Sequence, residues 1–381
     1  MPKINSKLPN LQTSIFTIMS RLAKEHDAVN LSQGFPNFDT DRKLIDLVSK
    51  AMNSGYNQYA PMQGIYSLRE VIAEKFESLY GATYNPETEI TVTAGATQAI
   101  FSIISAFVHP KDEVIILKPA YDCYEPAIIV NRGVPIAIQM QGKDFKVDWE
   151  EFKQAITDKT KMVIINTPHN PSGTIFSKDD MLRLQEILKD TNILLLSDEV
   201  YEHIVFGGCQ HQSVARFPEL ANRSFICASF GKTFHITGWK MGYCVAPAEL
   251  MHEFRKVHQF AVFCVDHPVQ RALAKYLQNE NHYLDLNDFY QEKRDFFLSR
   301  MKDSRFKFTP SEGTYFQLVD YTDITKEGDE DLSKRLIIDH KLASIAISSF
   351  NVNNRDDKVL RFCFAKKKET LEKATEILCS L

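Results

Sequence analysis

The sequence predicts an α/β fold, with a mostly parallel central sheet, helices on both of its faces and a smaller α+β domain. From about residue 90 the chain alternates short apolar runs with segments whose apolar residues recur at helical spacing. The apolar runs are nearly continuous, as in parallel strands that are buried on both faces. The length of 381 residues exceeds what one small core fills, so we expect one large and one smaller domain.

Strands and helices of the large domain can be assigned in order along the chain. The predicted strands are EITVTAG (89–95), DEVIIL (112–117), PIAIQM (135–140), KMVIINTP (161–168), NILLLSDEVY (192–201), SFICASF (224–230) and MGYCVAP (241–247). The predicted helices are ATQAIFSIISAFV (96–108), a segment near YEPAIIVNRG (124–133) and KDDMLRLQEILKD (178–190). Such alternation is typical of a parallel sheet, because crossover helices join neighbouring strands.

The last hundred residues have a different pattern. A long polar helix is predicted at about 282–303, followed by strand-like runs at TYFQLVD, LASIAIS and VLRFCFA. The first forty residues read as irregular, and we expect them to pack with this C-terminal unit. The predicted division is therefore 1–45 as an arm and part of the small domain, 46–281 as the large domain and 282–381 as the small domain.

Composition excludes several classes of protein. The chain has 45 Lys+Arg and 49 Asp+Glu, a net charge of −4 and no basic stripe, so nucleic acid is not an expected partner. No apolar run approaches the roughly 20 residues that span a bilayer, and the start lacks the apolar core of a secretory signal. Seven scattered cysteines without CxxC and eleven histidines without HxH or HxxxH indicate reduced thiols, no metal site and a cytoplasmic location.

Ligands of open α/β sheets bind at the carboxyl ends of the strands, so residues at those ends are the candidates for a site. Gly95, Ala96 and Thr97 follow one strand and open a helix, where backbone N–H groups attract an anion. Tyr121 follows the next strand and could stack on a flat ring. Taken alone, each has a structural explanation, namely a plain helix start and a core aromatic, and the dinucleotide fingerprint GxGxxG is absent.

Polar side chains follow the next two strands. Asn166 and Asn170 bracket a turn stiffened by two prolines, which suits fixed hydrogen bonds, although an Asn-Pro turn can serve geometry alone. Asp198 follows four apolar residues, and Tyr201 comes three positions later. A buried carboxylate is costly unless a cation pairs with it, so Asp198 indicates either a structural salt bridge or a cationic ligand.

Two lysines follow the predicted strand SFICASF. Lys232 is placed where partial burial would lower its pKa and make a nucleophilic amine, and Lys240 could reach the same place as a cation for phosphate. Either lysine alone could instead extend its head into solvent. Together with the residues above they suit one ligand, a flat anionic pyridine that carries an aldehyde and a phenolic oxygen. That ligand is pyridoxal 5′-phosphate.

The sequence resembles the class I/II aminotransferases of the pyridoxal-phosphate-dependent transferase fold type I. The likeness is carried in order by NLSQGFPNFD, VTAGATQAI, NTPHNPSGT, SDEVYEHIVF, SFGKTFHITGWKMGYCVAP and VLRFCFAKKKETL, and it extends over nearly the whole chain. It is strongest to the kynurenine/glutamine transaminase branch, which includes the bacterial methionine aminotransferases.

The resemblance implies a role for each matching residue at the cofactor. Lys232 would form the Schiff base and then carry a proton between the substrate Cα and C4′, while Asp198 would pair with the pyridinium nitrogen. Tyr201 and Asn170 would hold the phenolic oxygen, and Tyr121 would stack on the ring. The phosphate would be bound by Ala96, Thr97, Ser229 and Lys240, at the helix start that includes Gly95.

Further matching residues imply subunit contacts and substrate binding. Tyr59 would reach the phosphate of the neighbouring subunit, so a homodimer with shared active sites is expected. Arg361 would bind the substrate α-carboxylate in bidentate fashion, helped by Asn166 and the backbone of Gly34. Candidates for the side-chain pocket are Phe16, Tyr59, Phe263 and Phe350.

The implied activity is a ping-pong transfer of an amino group from methionine, aromatic or similar apolar L-amino acids to a 2-oxo acid. Where eukaryotic kynurenine aminotransferases of the branch have a Phe-His pair, this chain has Phe263 and Cys264, so a strict kynurenine preference is not expected. No second arginine is evident for a dicarboxylate. Kynurenine or glutamine transamination and cysteine-S-conjugate β-lyase activity stay open as alternatives. A regulator's effector domain is not expected, because only about thirty residues precede LSQGFP.

Overall fold

A computed structural model describes residue 2 and residues 4–381 of the chain. The strands are β1 Val29–Asn30, β2 Ile90–Thr93, β3 Glu113–Lys118, β4 Val134–Gln139, β5 Thr160–Asn166, β6 Leu194–Asp198, β7 Ser224–Ser229, β8 Gly242–Val245, β9 Phe316–Asp320, β10 Leu342–Ala343, β11 Ile345–Ala346 and β12 Val359–Cys363. The helices are α1 Ile15–Glu25, α2 Arg42–Asn53, α3 Tyr66–Tyr80, α4 Ala96–Phe107, α5 Tyr124–Val130, α6 Trp149–Gln154, α7 Lys178–Leu188, α8 Pro218–Ala221, α9 Phe230–Thr233, α10 Ala248–Ala261, α11 His267–Tyr276, α12 Asn281–Leu284, α13 Leu286–Met301, α14 Asp329–His340 and α15 Lys368–Cys379.

Seven strands form the central sheet, in the order β2-β8-β7-β6-β5-β3-β4. Only β8 runs antiparallel to its neighbours, so the predicted mostly parallel sheet is confirmed. Successive residues of β3 enter different cores: Ile115 and Leu117 join one cluster, while Val114 and Ile116 join the other. Burial on both faces explains why these strands read as continuous apolar runs.

The parallel strands bring their carboxyl ends to one edge of the sheet. Asn166 at the end of β5 is in register with Asp198 at the end of β6, and Ser229 at the end of β7 is in register with Gly242. Two antiparallel steps, from β7 to β8 and from β8 to β2, leave β2 parallel to β7. The start of α4 therefore lies at the same edge as the ends of the other strands.

The C-terminal unit contains a three-stranded antiparallel sheet, in the order β11-β12-β9. The predicted run LASIAIS forms two short strands, because β10 pairs with β1 whereas β11 pairs with β12. The predicted irregularity of the first forty residues is wrong for α1, whose Met19 and Ala23 pack against Ile337 and Ile345. The division of the chain at residues 46 and 281 stays a prediction.

Three features are not found in residue 2 and residues 4–381. None of the helices there is long and apolar enough to cross a bilayer. No group of three or more His, Cys, Asp or Glu side chains in that part of the chain is arranged to hold a metal ion. No disulfide bond is present among these residues, since the seven cysteines are free thiols, including Cys227 and Cys244, which face each other in β7 and β8.

Candidate active site

A cavity of about 140 Å³ opens at the carboxyl edge of the central sheet. Eleven residues predicted from the sequence line it: Gly95, Ala96, Thr97, Tyr121, Asn166, Asn170, Asp198, Tyr201, Ser229, Lys232 and Lys240. They come from five separate stretches of the chain, which the strand order brings together. The structure thus collects the predicted cofactor-contacting residues, with the exception of Tyr59, around one space.

Lys232 lies in the short helix α9, directly after β7. Its Nζ atom donates a hydrogen bond to the carbonyl oxygen of Gly34 at 3.1 Å. Burial lowers the pKa of this amine from 10.5 to about 8, and the positive charges of Arg361 and Lys240 act in the same direction. A substantial neutral fraction near pH 8 gives the amine the free electron pair that a nucleophile needs.

Asp198 ends β6 as a buried carboxylate. The hydroxyl of Tyr124 donates to its Oδ2 atom at 2.6 Å, and the backbone N–H of Val200 donates to Oδ1 at 3.3 Å. Burial raises the pKa of the carboxyl to about 6, with the hydrogen bond from Tyr124 opposing this shift. A raised pKa in a cavity is the property of a carboxylate that lacks a cationic partner.

Tyr124 bonds to Asp198 but is not among the residues that the sequence predicts for the site. Only Tyr121 was given a role, although Tyr124 follows it three positions later, at the start of α5. The ring of Tyr124 is buried and stands edge-on to Tyr121, with centroids 5.8 Å apart. A second buried tyrosine at helical spacing, just past the same strand, was the available signal.

Arg361 projects from β12 towards the end of β5. Its Nη1 atom donates to Oδ1 of Asn170 at 2.7 Å, and Nη2 donates to the carbonyl oxygen of Ser32 at 3.0 Å. The guanidinium carbon lies 3.9 Å from the ring centroid of Phe316 and 5.2 Å from that of Phe16. Nε is buried and has no hydrogen-bond partner among residue 2 and residues 4–381. A buried guanidinium with an unused donor is suited to bind a carboxylate.

The side chain of Asn166 makes two hydrogen bonds within the chain. Its Nδ2 atom donates to the carbonyl oxygen of Asp198 at 2.8 Å, and its Oδ1 accepts from the backbone N–H of Asn170, also at 2.8 Å. The amide is thus bonded to the backbone at the end of β6 and in the loop after β5. These contacts help to position Asp198 and Asn170, and the predicted help of Asn166 in binding substrate stays a prediction.

The start of α4 and the residues around Lys240 form the opposite end of the cavity. Gly95 has a φ of 77°, and a Cβ atom at that position would lie 3.5 Å from Nζ of Lys240. At Gly242 a Cβ would lie 2.6 Å from the carbonyl oxygen of Ala228 and 3.0 Å from the backbone nitrogen of Ala96. Glycine is therefore required at Gly95 by its positive φ and at Gly242 by the close backbone approach. The ammonium of Lys240 lies beside the start of α4, where helix N–H groups attract an anion.

Two tyrosines border the cavity from different sides. The hydroxyl of Tyr121 lies 3.3 Å from Oγ1 of Thr97, which fixes the ring relative to the start of α4. Tyr201 is buried, stands edge-on to Tyr315 with centroids 5.1 Å apart, and has Nζ of Lys232 at 5.7 Å from its own centroid. Burial raises the pKa of both phenols, so each keeps its proton at neutral pH.

The predicted substrate-pocket residues fall into two groups. Phe16 and Phe350 pack on each other with centroids 5.5 Å apart, and Phe16 also covers Arg361. Tyr59 and Phe263 form a second pair, with centroids 5.0 Å apart, but they do not line the cavity. Within this single chain Tyr59 is 80% exposed and Phe263 is 50% exposed.

A family model described as aminotransferase class I and II matches residues 26–378. The chain belongs to this family. It is 47% identical over 377 residues to methionine aminotransferase of Escherichia coli K12, a match that covers 99% of this chain and 98% of that protein. The solved structure of YbdL from Escherichia coli, for which a methionine aminotransferase function is described, has a TM-score of 0.97 and 46% identity, with 100% of both chains covered. Kynurenine–oxoglutarate transaminase of Dictyostelium discoideum is 32% identical, and the match covers 98% of this chain and 96% of that protein.

Aminotransferases of this class and fold depend on pyridoxal 5′-phosphate. The residues of the cavity fit that cofactor. Asp198 is a buried carboxylate without a cationic partner among the residues described, and a protonated pyridine nitrogen would supply one. The start of α4 with Lys240 suits a phosphate, and the amine of Lys232 suits an aldehyde.

Proposed function

We propose that this aminotransferase transfers the amino group of methionine and of aromatic or similar apolar L-amino acids to a 2-oxo acid by a ping-pong mechanism. The similarity to a methionine aminotransferase over nearly the full length of both chains carries the proposal. The aromatic pair Phe16 and Phe350 beside Arg361 supports it, because such rings suit an apolar substrate side chain.

Asp198, Tyr124 and Lys232 are the residues proposed to support the proton transfer. A bound pyridine ring would supply an acceptor for the electron pair left on the substrate Cα. Asp198 would hold a positive charge at the ring nitrogen, and Tyr124 holds Asp198 in place. Lys232 would take the proton from the substrate Cα and return it at C4′, since its lowered pKa lets it act as a base and then as an acid near neutral pH.

The other side chains bind and orient. Tyr201 and Asn170 would hold the phenolic oxygen, and Tyr121 would stack on the ring. The backbone and side chains of Ala96, Thr97, Ser229 and Lys240, beside Gly95, would bind the phosphate. Arg361 binds the α-carboxylate, and Asn170 orients the guanidinium through its 2.7 Å hydrogen bond.

A panel of amino donors with one 2-oxo acid acceptor tests the proposed substrates. We expect kcat/KM to be highest for methionine and aromatic amino acids and low for aspartate, because burying an unpaired carboxylate is unfavourable.

Arg361→Lys should raise the KM of every donor by a similar factor, roughly 10- to 100-fold, since it removes a bidentate contact to the group that all donors share. Phe350→Ala should change the ranking of donors instead.

The panel also separates the alternatives. A clear preference for aspartate over methionine would contradict the substrate proposal while leaving the aminotransferase assignment intact. Kynurenine and glutamine belong in the panel as donors, and a high kcat/KM for either would extend the substrate range. Pyruvate released from a cysteine S-conjugate without any 2-oxo acid present would reveal β-lyase activity.

We further propose a cytoplasmic homodimer in which Tyr59 of one subunit contacts the phosphate bound by the other. The exposed aromatic pair of Tyr59 and Phe263, with Phe260 at 87% exposure nearby, supports a subunit interface on this face. Sedimentation should therefore give a dimer, and Tyr59→Phe should weaken cofactor binding.

Hybrid dimers test the sharing of sites directly. A Lys232→Ala chain paired with a Tyr59→Phe chain should contain one intact site, with Lys232 from one chain and Tyr59 from the other. At limiting cofactor the hybrid should therefore exceed both parent variants in activity. Activity no higher than that of the Tyr59→Phe homodimer would show that Tyr59 acts within its own subunit.

A further inference from the structure

Five consecutive backbone carbonyl groups, those of residues 31–35, all accept hydrogen bonds from outside their own segment. The backbone N–H of Cys363 donates to Leu31 at 2.8 Å, and Nη2 of Arg361 donates to Ser32 at 3.0 Å. Nζ of Lys366 donates to Gln33 at 3.4 Å and to Phe35 at 2.7 Å. The carbonyl of Gly34 accepts from Nζ of Lys232 at 3.1 Å and from the hydroxyl of Tyr315 at 2.5 Å. We call residues 31–35 the carbonyl row. Two predicted active-site side chains, those of Lys232 and Arg361, thus bond to the same short segment as Lys366.

Lys366 is buried, with 3% of its surface exposed, whereas the adjacent Lys367 and Lys368 are exposed. Its ammonium bonds to the carbonyls on either side of Gly34 and lies 5.1 Å from the ring centroid of Phe35. Burying an ammonium group costs free energy unless its donors are satisfied. Of these three lysines, the buried one is Lys366, and it is the one whose ammonium bonds to the carbonyl row.

The carbonyl between those two bonds is the one that holds Lys232. A carbonyl oxygen can only accept, so Gly34 binds the amine through an N–H and leaves its electron pair free for the substrate. The row also has little room to shift, because a Cβ at Gly34 would lie 2.7 Å from Cζ of Phe316. A movement of residues 33–35 would therefore move the amine away from its reacting position.

We propose that Lys366 is a positioning residue for the reacting amine: it clamps the carbonyls of Gln33 and Phe35 so that the carbonyl of Gly34 holds Lys232 in place. The proposal rests on the proposed role of Lys232. It assigns Lys366 no contact with cofactor or substrate, so its removal should affect the orientation of the amine and spare the phosphate end of the site, where Lys240 and the start of α4 lie.

Lys366→Met, with Lys367→Met as the matched exposed control, tests this assignment. In the holoenzyme Lys366→Met should lower kcat roughly 10- to 100-fold, because small displacements of a reacting group have effects of that size. The concentration of cofactor needed for half-saturation should stay that of the wild type. Lys367→Met should behave as the wild type in both respects.

A second readout does not depend on turnover. In the apoprotein, reaction with acetic anhydride followed by peptide mass spectrometry compares the labelling of Lys232 with that of Lys240 in the same molecule. The labelling is done at pH 7, below the pKa of about 8 of Lys232, where most of the amine is protonated. The Gly34 carbonyl accepts a hydrogen bond from the amine and so favours its protonated form. Its displacement in Lys366→Met should therefore raise the neutral fraction and increase the Lys232/Lys240 labelling ratio several-fold. A residue that serves stability alone would lower the melting temperature without changing this ratio.

The outcomes separate cleanly. An unchanged labelling ratio, or a kcat equal to that of Lys367→Met, would overturn the proposal even if stability falls. If Lys366→Met does not fold, Lys366→Gln replaces it, and wild-type kcat and labelling in that variant would overturn the proposal equally. If the wild type used neither methionine nor aromatic donors, the substrate proposal would fail, while the apoprotein labelling would still decide the role of Lys366.

Discussion

Lys232→Ala is expected to lower kcat by on the order of 10⁴-fold while the protein stays folded and still binds pyridoxal phosphate. The loss is large because one amine is proposed to act both as the nucleophile and as the proton carrier. Its burial, its pKa of about 8 and its bond to Gly34 suit both tasks. Activity measurements with saturating cofactor, together with borohydride reduction and peptide mass spectrometry, check the result. After reduction the wild type should carry the cofactor covalently on residue 232, and the variant should carry no covalently attached cofactor.

Lys240→Ala is the matched control for this experiment. Lys240 is a cation at the other end of the same cavity, and it is proposed to bind only the phosphate. Loss of one charge-assisted hydrogen bond should weaken cofactor binding by roughly 10- to 100-fold. At saturating cofactor, kcat should return close to the wild-type value. If Lys232→Ala kept full turnover, or if both variants lost the same activity at saturation, the proposed division between the two lysines would be wrong.

Much of the fold could be predicted because burial on both faces leaves a local signal. In β3 and β5 successive residues face alternate cores, and the strands are therefore apolar without interruption. The position of the site followed as well, since carboxyl ends of parallel strands must meet at one edge. This is why Asn166, Asp198 and Ser229, which lie far apart in the sequence, could be grouped before the structure was known.

The parts that could not be predicted depend on side-chain direction between distant segments. Nothing local to Tyr124 shows that its hydroxyl reaches Asp198, 74 residues away. Asn166 lines the cavity, but the two hydrogen bonds that its amide makes to the backbone are visible only in three dimensions. In the sequence Lys366 is one of three consecutive lysines. It is distinguished from its exposed neighbours by its bonds to the carbonyl row, which the structure alone reveals.

Asp198→Asn is expected to lower kcat by on the order of 10²- to 10³-fold, the cost of removing a preorganised charge from a buried site. Asparagine keeps the shape of the side chain and can still accept the hydrogen bond from Tyr124, so the change isolates the negative charge. Without that charge the ring nitrogen has no anionic partner and holds its proton less well. The ring then accepts electrons from the substrate Cα less readily, and addition of more cofactor should not restore kcat.

The same substitution should change how the apoprotein responds to pH. Burial raises the pKa of Asp198 from 3.8 to about 6, so between these values the folded state holds a proton that the unfolded state has lost. Stability then falls as the pH rises through this window, by about 3 kcal/mol for a group that is fully buried. Denaturant unfolding of the apoprotein at pH 4 to 7 should show this decrease in the wild type, and Asp198→Asn should lack that part of it.

Glu199→Gln is the control, because Glu199 is an equally buried neighbour whose carboxylate is bonded to Ser197, Val214 and His211 instead of facing the cavity. It should lower stability and leave kcat near the wild-type value. Bound cofactor should reverse the effect of pH in the wild type, since a protonated ring nitrogen favours the ionised carboxyl and restores stability above pH 6. A wild-type apoprotein and an Asp198→Asn apoprotein with the same pH dependence would show that residue 198 already has a cationic partner in the protein, and its proposed pairing with the ring nitrogen would then be untenable.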